Sequence, residues 1–137
     1  MSAMSRRVAL AALTLAALPL ASASAVGLGP LTKAGLTDGP RKAFYLTLTN
    51  PYASATAFRA YAIGMADETP QPRVRILPGD EVRLGGNSNR QLLVVAGGMA
   101  PGETYAFRVC AERAQPVEGM IRARVCSKLT ARRLAAR

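Results

Sequence analysis

The chain has 137 residues, half of them hydrophobic, and 18 Lys and Arg against 8 Asp and Glu give it a formal charge of +10. That length supports one domain, at ~100–200 residues per domain. With two Cys and no His or Trp, the composition excludes a Ser-His-Asp triad, a Cys-His dyad, an imidazole base, a His-ligated metal and a four-thiolate zinc site. So apolar a chain is not disordered.

Residues 1–25 have the anatomy of a secretory signal. Arg6 and Arg7 make a positive start, Val8 to Leu20 is an uncharged run, and Ala23-Ser24-Ala25 gives the small-x-small cleavage pattern. The run is 13 residues and contains Pro19, short of the ~20 that a spanning helix needs. Ser5-Arg6-Arg7 with Leu10 partly matches a twin-arginine signal, but Ala9 stands where a bulky residue belongs, so the export route stays open between general and twin-arginine. Removing Arg6 and Arg7 from 18 basic residues leaves 16 against 8 acidic, a net +8 for residues 26–137. Export to the periplasm or beyond sets an oxidising context, in which two Cys read as a disulfide, Cys110–Cys126.

Beyond residue 26 the period is that of strands. Lys42 to Thr49 alternates Phe44, Leu46 and Leu48 with Tyr45, Thr47 and Thr49, and Asn50-Pro51 ends it. Ala57 to Met65 is extended and closes at Asp67 to Pro70. Arg73 to Leu77 alternates charge with branched aliphatics, Pro78-Gly79-Asp80 turns, and Glu81 to Leu84 is a short strand. Gln91 to Ala96 is nearly continuous in apolar residues, as in a strand at a sheet centre, and Gly97-Gly98 releases it. The next strand sets Tyr105, Phe107 and Val109 on one face, and Thr104, Ala106, Arg108 and Cys110 on the other. The last, Met120 to Thr130, sets Ile121, Ala123, Val125 and Leu129 on one face, and Arg122, Arg124, Cys126 and Lys128 on the other. Both Cys thus fall on polar faces, and an antiparallel hairpin with those faces aligned lets them meet. Leu28 to Leu36 supplies a strand at the leading edge.

About seven short antiparallel strands bounded by Gly and Pro predict an all-β, immunoglobulin-like sandwich over residues 26–130, with a basic tail at 131–137. Pro101-Gly102-Glu103-Thr104-Tyr105 has the look of the tyrosine corner of such folds. The rival is an eight-stranded barrel, which has a higher strand count and an interior cavity that the pattern lacks.

Residues 42–130 resemble the N-terminal domain of the periplasmic pilus (chaperone–usher) chaperones. The segments that carry the resemblance, in order, are Phe44 to Asn50, Val74 to Pro78, Arg90 to Val95 and Gly102 to Val109. It implies a sandwich whose last strand is lent to an incomplete fibre subunit by strand addition. It also implies that Ile121, Ala123, Val125 and Leu129 are the lent side chains, and a disulfide between the last two strands occurs in one branch of the family. Family chaperones carry two such domains; one is expected here. They grip the subunit's terminal carboxylate with a Lys near the end of the last strand and an Arg on the first. Here Thr130 stands at the Lys position, Lys128 lies two residues earlier, and Lys33 or Arg41 is nearest to the Arg position.

Arg122, Arg124, Lys128, Arg132 and Arg133 form a basic cluster that suits an anion or a carboxylate. Asp67-Glu68 and Asp80-Glu81 are adjacent acids, which diverge on a strand, so no catalytic pair is expected. The sequence therefore predicts a non-enzymatic exported binding module with no cofactor or metal. Its partner would be another exported protein, such as a surface-fibre subunit, rather than nucleic acid; contact with a membrane surface stays open. The alternative is an envelope component that holds an anionic polymer through its basic end.

Overall fold

The computed structural model describes residues 26–115, 117–119 and 122–135. Residues 1–25, Ile121 and Arg137 lie outside the described residues. Among the described residues, nine strands follow in chain order: β1 (Gly27–Gly29), β2 (Thr32–Thr37), β3 (Lys42–Thr49), β4 (Thr56–Gly64), β5 (Val74–Leu77), β6 (Glu81–Leu84), β7 (Asn89–Ala96), β8 (Thr104–Arg113) and β9 (Arg124–Arg133). They form two sheets, ordered β1-β3-β7-β5 and β2-β9-β8-β4-β6. This is an immunoglobulin-like sandwich.

The alternation read from the sequence explains the packing. In β3, Phe44, Leu46 and Leu48 are buried while Ala43, Tyr45 and Thr47 are exposed. Phe58 and Ala60 of β4, Val82 and Leu84 of β6, Leu92, Val94 and Ala96 of β7, and Phe107 and Val109 of β8 complete the layer between the sheets. Phe44 and Phe107 meet edge-on across it, with centroids 6.4 Å apart, the arrangement that aromatic quadrupoles favour. Asn50 is fully buried. Its amide donates to the Ser54, Leu84 and Gly85 carbonyls and its Oδ1 accepts the Tyr52 N–H. A buried amide so satisfied ties the end of β3 to β6.

Three expectations change. The leading segment is two strands: β1 pairs antiparallel with β3, and β2 pairs parallel with β9 in the other sheet. Pro30 lies between them, where a residue without an N–H is free to leave one ladder before the next begins. The last strand starts at Arg124 rather than Met120 and runs to Arg133, and Ala131 is buried, so the fold extends past residue 130. Tyr105 does not make a tyrosine corner. Its hydroxyl donates to Gln71 Oε1 at 2.6 Å, and Glu103 ties the turn instead. Glu103 accepts the Ala100 N–H at 2.9 Å and both terminal nitrogens of Arg73 at 2.9 Å. The guanidinium first, and the Ala100 N–H next, hold the Glu103 carboxyl down at about 2.

A candidate strand-lending edge

β9 is antiparallel to β8 along nearly its whole length, with Cys110 opposite Cys126 and Phe107 opposite Leu129. On its other side β2 covers it only from Lys128 to Arg133. The Lys128 N–H donates to the Leu31 carbonyl at 2.8 Å, so even-numbered residues of β9 aim their main-chain groups away from β8. By the same alternation Arg124 and Cys126 aim theirs at that side. There, among the described residues, no strand pairs with them, because the chain has crossed at Pro30 to the sheet that holds β1. Ser127 marks the limit: it is buried, and its hydroxyl donates to the Pro30 carbonyl.

The Cys110–Cys126 disulfide is formed, with Cα atoms 4.0 Å apart. It joins β8 and β9 where the support of β2 ends. It sits on the outer face, as the alternation predicted, yet Cys110 is fully buried. Tyr61 of β4 lies beside it in register.

The basic cluster is largely engaged by the protein's own groups. Arg124 grips Glu68 with two nitrogens, at 2.6 and 2.8 Å, and donates to the Tyr61 hydroxyl at 3.3 Å. Arg108 approaches Glu68 at 3.6 Å and donates to the Gly64 and Asp67 carbonyls. The hydrogen bond from Arg124, more than any other cause, lowers the Glu68 pKa, and Glu68 in turn raises that of Arg124. Arg122 lies 3.8 Å from Glu112. Arg133 donates to the Met99 carbonyl. Lys128 and Arg132 remain exposed on the outer face with no ion pair among the described residues. The five expected anion-binding residues therefore form no single patch. Arg133 is a correction: an odd-numbered residue of β9, it points to the opposite face from Lys128 and Arg132.

The expected partner-facing side chains also divide. Leu129 is fully buried in the domain's own core, which corrects its assignment to a partner. Val125 is half-buried and packs against that core. Ala123 is exposed ahead of β9. A carboxylate clamp does not converge either: Lys33 lies opposite Leu129, on the other face from Lys128, and Arg41 precedes β3. Sequence reasoning missed that the open feature is main chain rather than side chain. Its signal was Pro30, three residues after the start of β1.

No protein-family model and no curated protein sequence matches the chain. Solved structures do. A Salmonella enterica SafA pilin complex with the SafB chaperone aligns over 80% of this chain and 54% of that one, at TM-score 0.66 and 20% identity. The Escherichia coli chaperone DraB aligns over 82% and 57%, at 0.64 and 18%. A PapD-like domain of human CEP192 aligns over 96% of this chain and all of that one, at 0.63 and 14%. The chain thus spans little more than half the length of the bacterial chains it matches. In fold, it is a structural relative of the N-terminal immunoglobulin-like domain of the pilus chaperones.

Proposed function

We propose that this chain is a non-enzymatic, exported protein-binding module that holds another exported polypeptide by strand addition along the open stretch of β9. The observation that carries the reading is the unpaired main chain at Arg124 and Cys126, stapled to β8 by the disulfide. An extended segment that hydrogen-bonds there continues the five-stranded sheet, and backbone bonds give affinity without a dedicated pocket. Neighbours described as chaperones of a pilin and of a tip adhesin support a surface-fibre subunit as the partner kind. The disulfide and the signal-like residues 1–25 support a periplasmic place of action.

The anionic-polymer reading has less support, since Arg122 and Arg124 already face Glu112 and Glu68. The test is capture of the fibre subunit encoded nearest to this chain, with that subunit lacking its own last strand. Arg124→Pro removes the outward N–H while leaving the β8 ladder intact; Arg124→Ala removes only the side chain. Capture that persists in 1 M salt, survives Arg124→Ala and disappears with Arg124→Pro supports strand addition. Capture released by salt, or indifferent to the proline, refutes it.

A further inference from the structure

The four-stranded sheet carries a second unpartnered surface, on the other sheet from the open stretch of β9. β7 is apolar on both faces. Its inward residues fill the core, but Leu93 and Val95 look outward and are only half-buried. Register sets Leu77 of β5 beside Leu93, and Tyr45 of β3 on its other side. This row crosses three strands, and Leu77 and Tyr45 are 42% and 55% exposed. One step along, Arg75 lies beside Val95. There the row runs into a cleft of about 450 Å³ that Pro40, Arg41, Arg73, Arg75 and the Gly97-Gly98 turn complete.

The charges in this cleft differ from those around the disulfide. Arg73 forms a fixed wall: it is clamped by Glu103 and the Gly97 and Gly98 carbonyls, and lies 4.3 Å from the centroid of the Tyr105 ring. Arg41 and Arg75 are exposed, and their guanidinium groups make no hydrogen bond or ion pair among the described residues. Among the described residues, no acidic one lines the cleft. Two uncommitted guanidinium groups over an apolar floor, continuous with an aliphatic and aromatic row, complement a ligand that is anionic and apolar in alternation. A phosphate or a sugar polymer would leave the Leu77–Leu93–Tyr45 row unused. An extended peptide uses both, since its alternate side chains reach the arginines and the row.

We infer that this cleft and row form a docking site for an acidic, apolar-alternating peptide segment of a partner protein, separate from the β9 edge. The probe is a fluorescent hexapeptide alternating aspartate with leucine and phenylalanine, titrated into the full protein by anisotropy, with amide chemical shifts recorded in parallel. Binding should move the Arg75, Val95 and Gly97 amides. Arg41→Ser with Arg75→Ser should weaken it about tenfold, as two exposed ion pairs allow. Leu77→Ser should weaken it as well, and all variants should melt with the parent because these residues are exposed. A peptide with lysine in place of aspartate should not bind, which checks the charge from the ligand side without altering the protein. Unchanged affinity in the double arginine variant overturns the site. So does binding of heparin, or of phosphatidylglycerol vesicles, that moves the same amides and ignores Leu77→Ser, because the cleft would then be a general anion site. Arg124→Pro should leave peptide binding intact, so failure here and failure at β9 are read separately.

Discussion

Replacing Cys110 and Cys126 with alanine removes a cross-link between positions 16 residues apart in the chain. In the chain-entropy account, closing a loop of that size takes about 3 kcal/mol out of the unfolded state's advantage at 25 °C. Domains of this size are stable by only about 5–15 kcal/mol, so the midpoint of thermal unfolding should fall on the order of 10–15 °C. Urea unfolding of the parent with and without reductant, and of the double alanine variant, measures the same quantity by a second route. Hydrogen exchange adds positional detail. In the parent, the Val125 and Ser127 amides face β8 and should exchange slowly, whereas those of Arg124 and Cys126 face the open side and should exchange fast. Without the bridge, protection at Val125 and Ser127 should drop more than at Leu129 and Ala131, which β2 and the core also hold. Equal midpoints with and without the bridge would refute the entropic reasoning. Slow exchange at Cys126 in the isolated protein would refute the open edge.

Phe107→Ala empties a fully buried site between Phe44 and Tyr105 and should cost about 3–5 kcal/mol in urea unfolding. Ser127→Ala removes the hydroxyl that donates to the Pro30 carbonyl; a loss of about 1 kcal/mol is expected, with faster exchange at Lys128, whose N–H is bonded to Leu31. Gly86→Ala would drive its new Cβ into the Ala53 carbonyl, where backbone must yield, and should destabilise by about 1–3 kcal/mol. Glu103 has a folded pKa of about 2, below its ordinary value, so its contribution is present above that ordinary value and is lost as pH falls toward 2. Stability measured from pH 6 to pH 2 should therefore decline less steeply in Glu103→Gln than in the parent.

The parts of the fold legible in the sequence were those set by local alternation. β3, β7 and the β8–β9 hairpin each carry a period of two long enough to assign faces, and the pairing of Cys110 with Cys126 followed from those faces. What stayed hidden depends on contacts between distant segments. The split of the leading segment into β1 and β2 had one local signal, Pro30, but no short-range pattern says which strand each half pairs with. Parallel pairing of β2 with β9 joins the two ends of the domain, and no short-range pattern reports it. The engagement of Arg124 by Glu68 spans 56 positions, so a run of basic residues read as free charge was in part already neutralised. The exchange of roles between Tyr105 and Glu103 was likewise set by where Gln71 and Arg73 arrive.

The order of the five-stranded sheet also bears on how the chain is made. β9 follows the other eight described strands in the chain, yet it alone connects β2 to β8. Until it arrives, β2 has no neighbour in that layer, and Phe107 lacks Leu129 beside it. Such a chain cannot close piecemeal from its amino end. It stays open until β9 is in place, then zips both borders of one strand at once, which makes assembly slow and non-local.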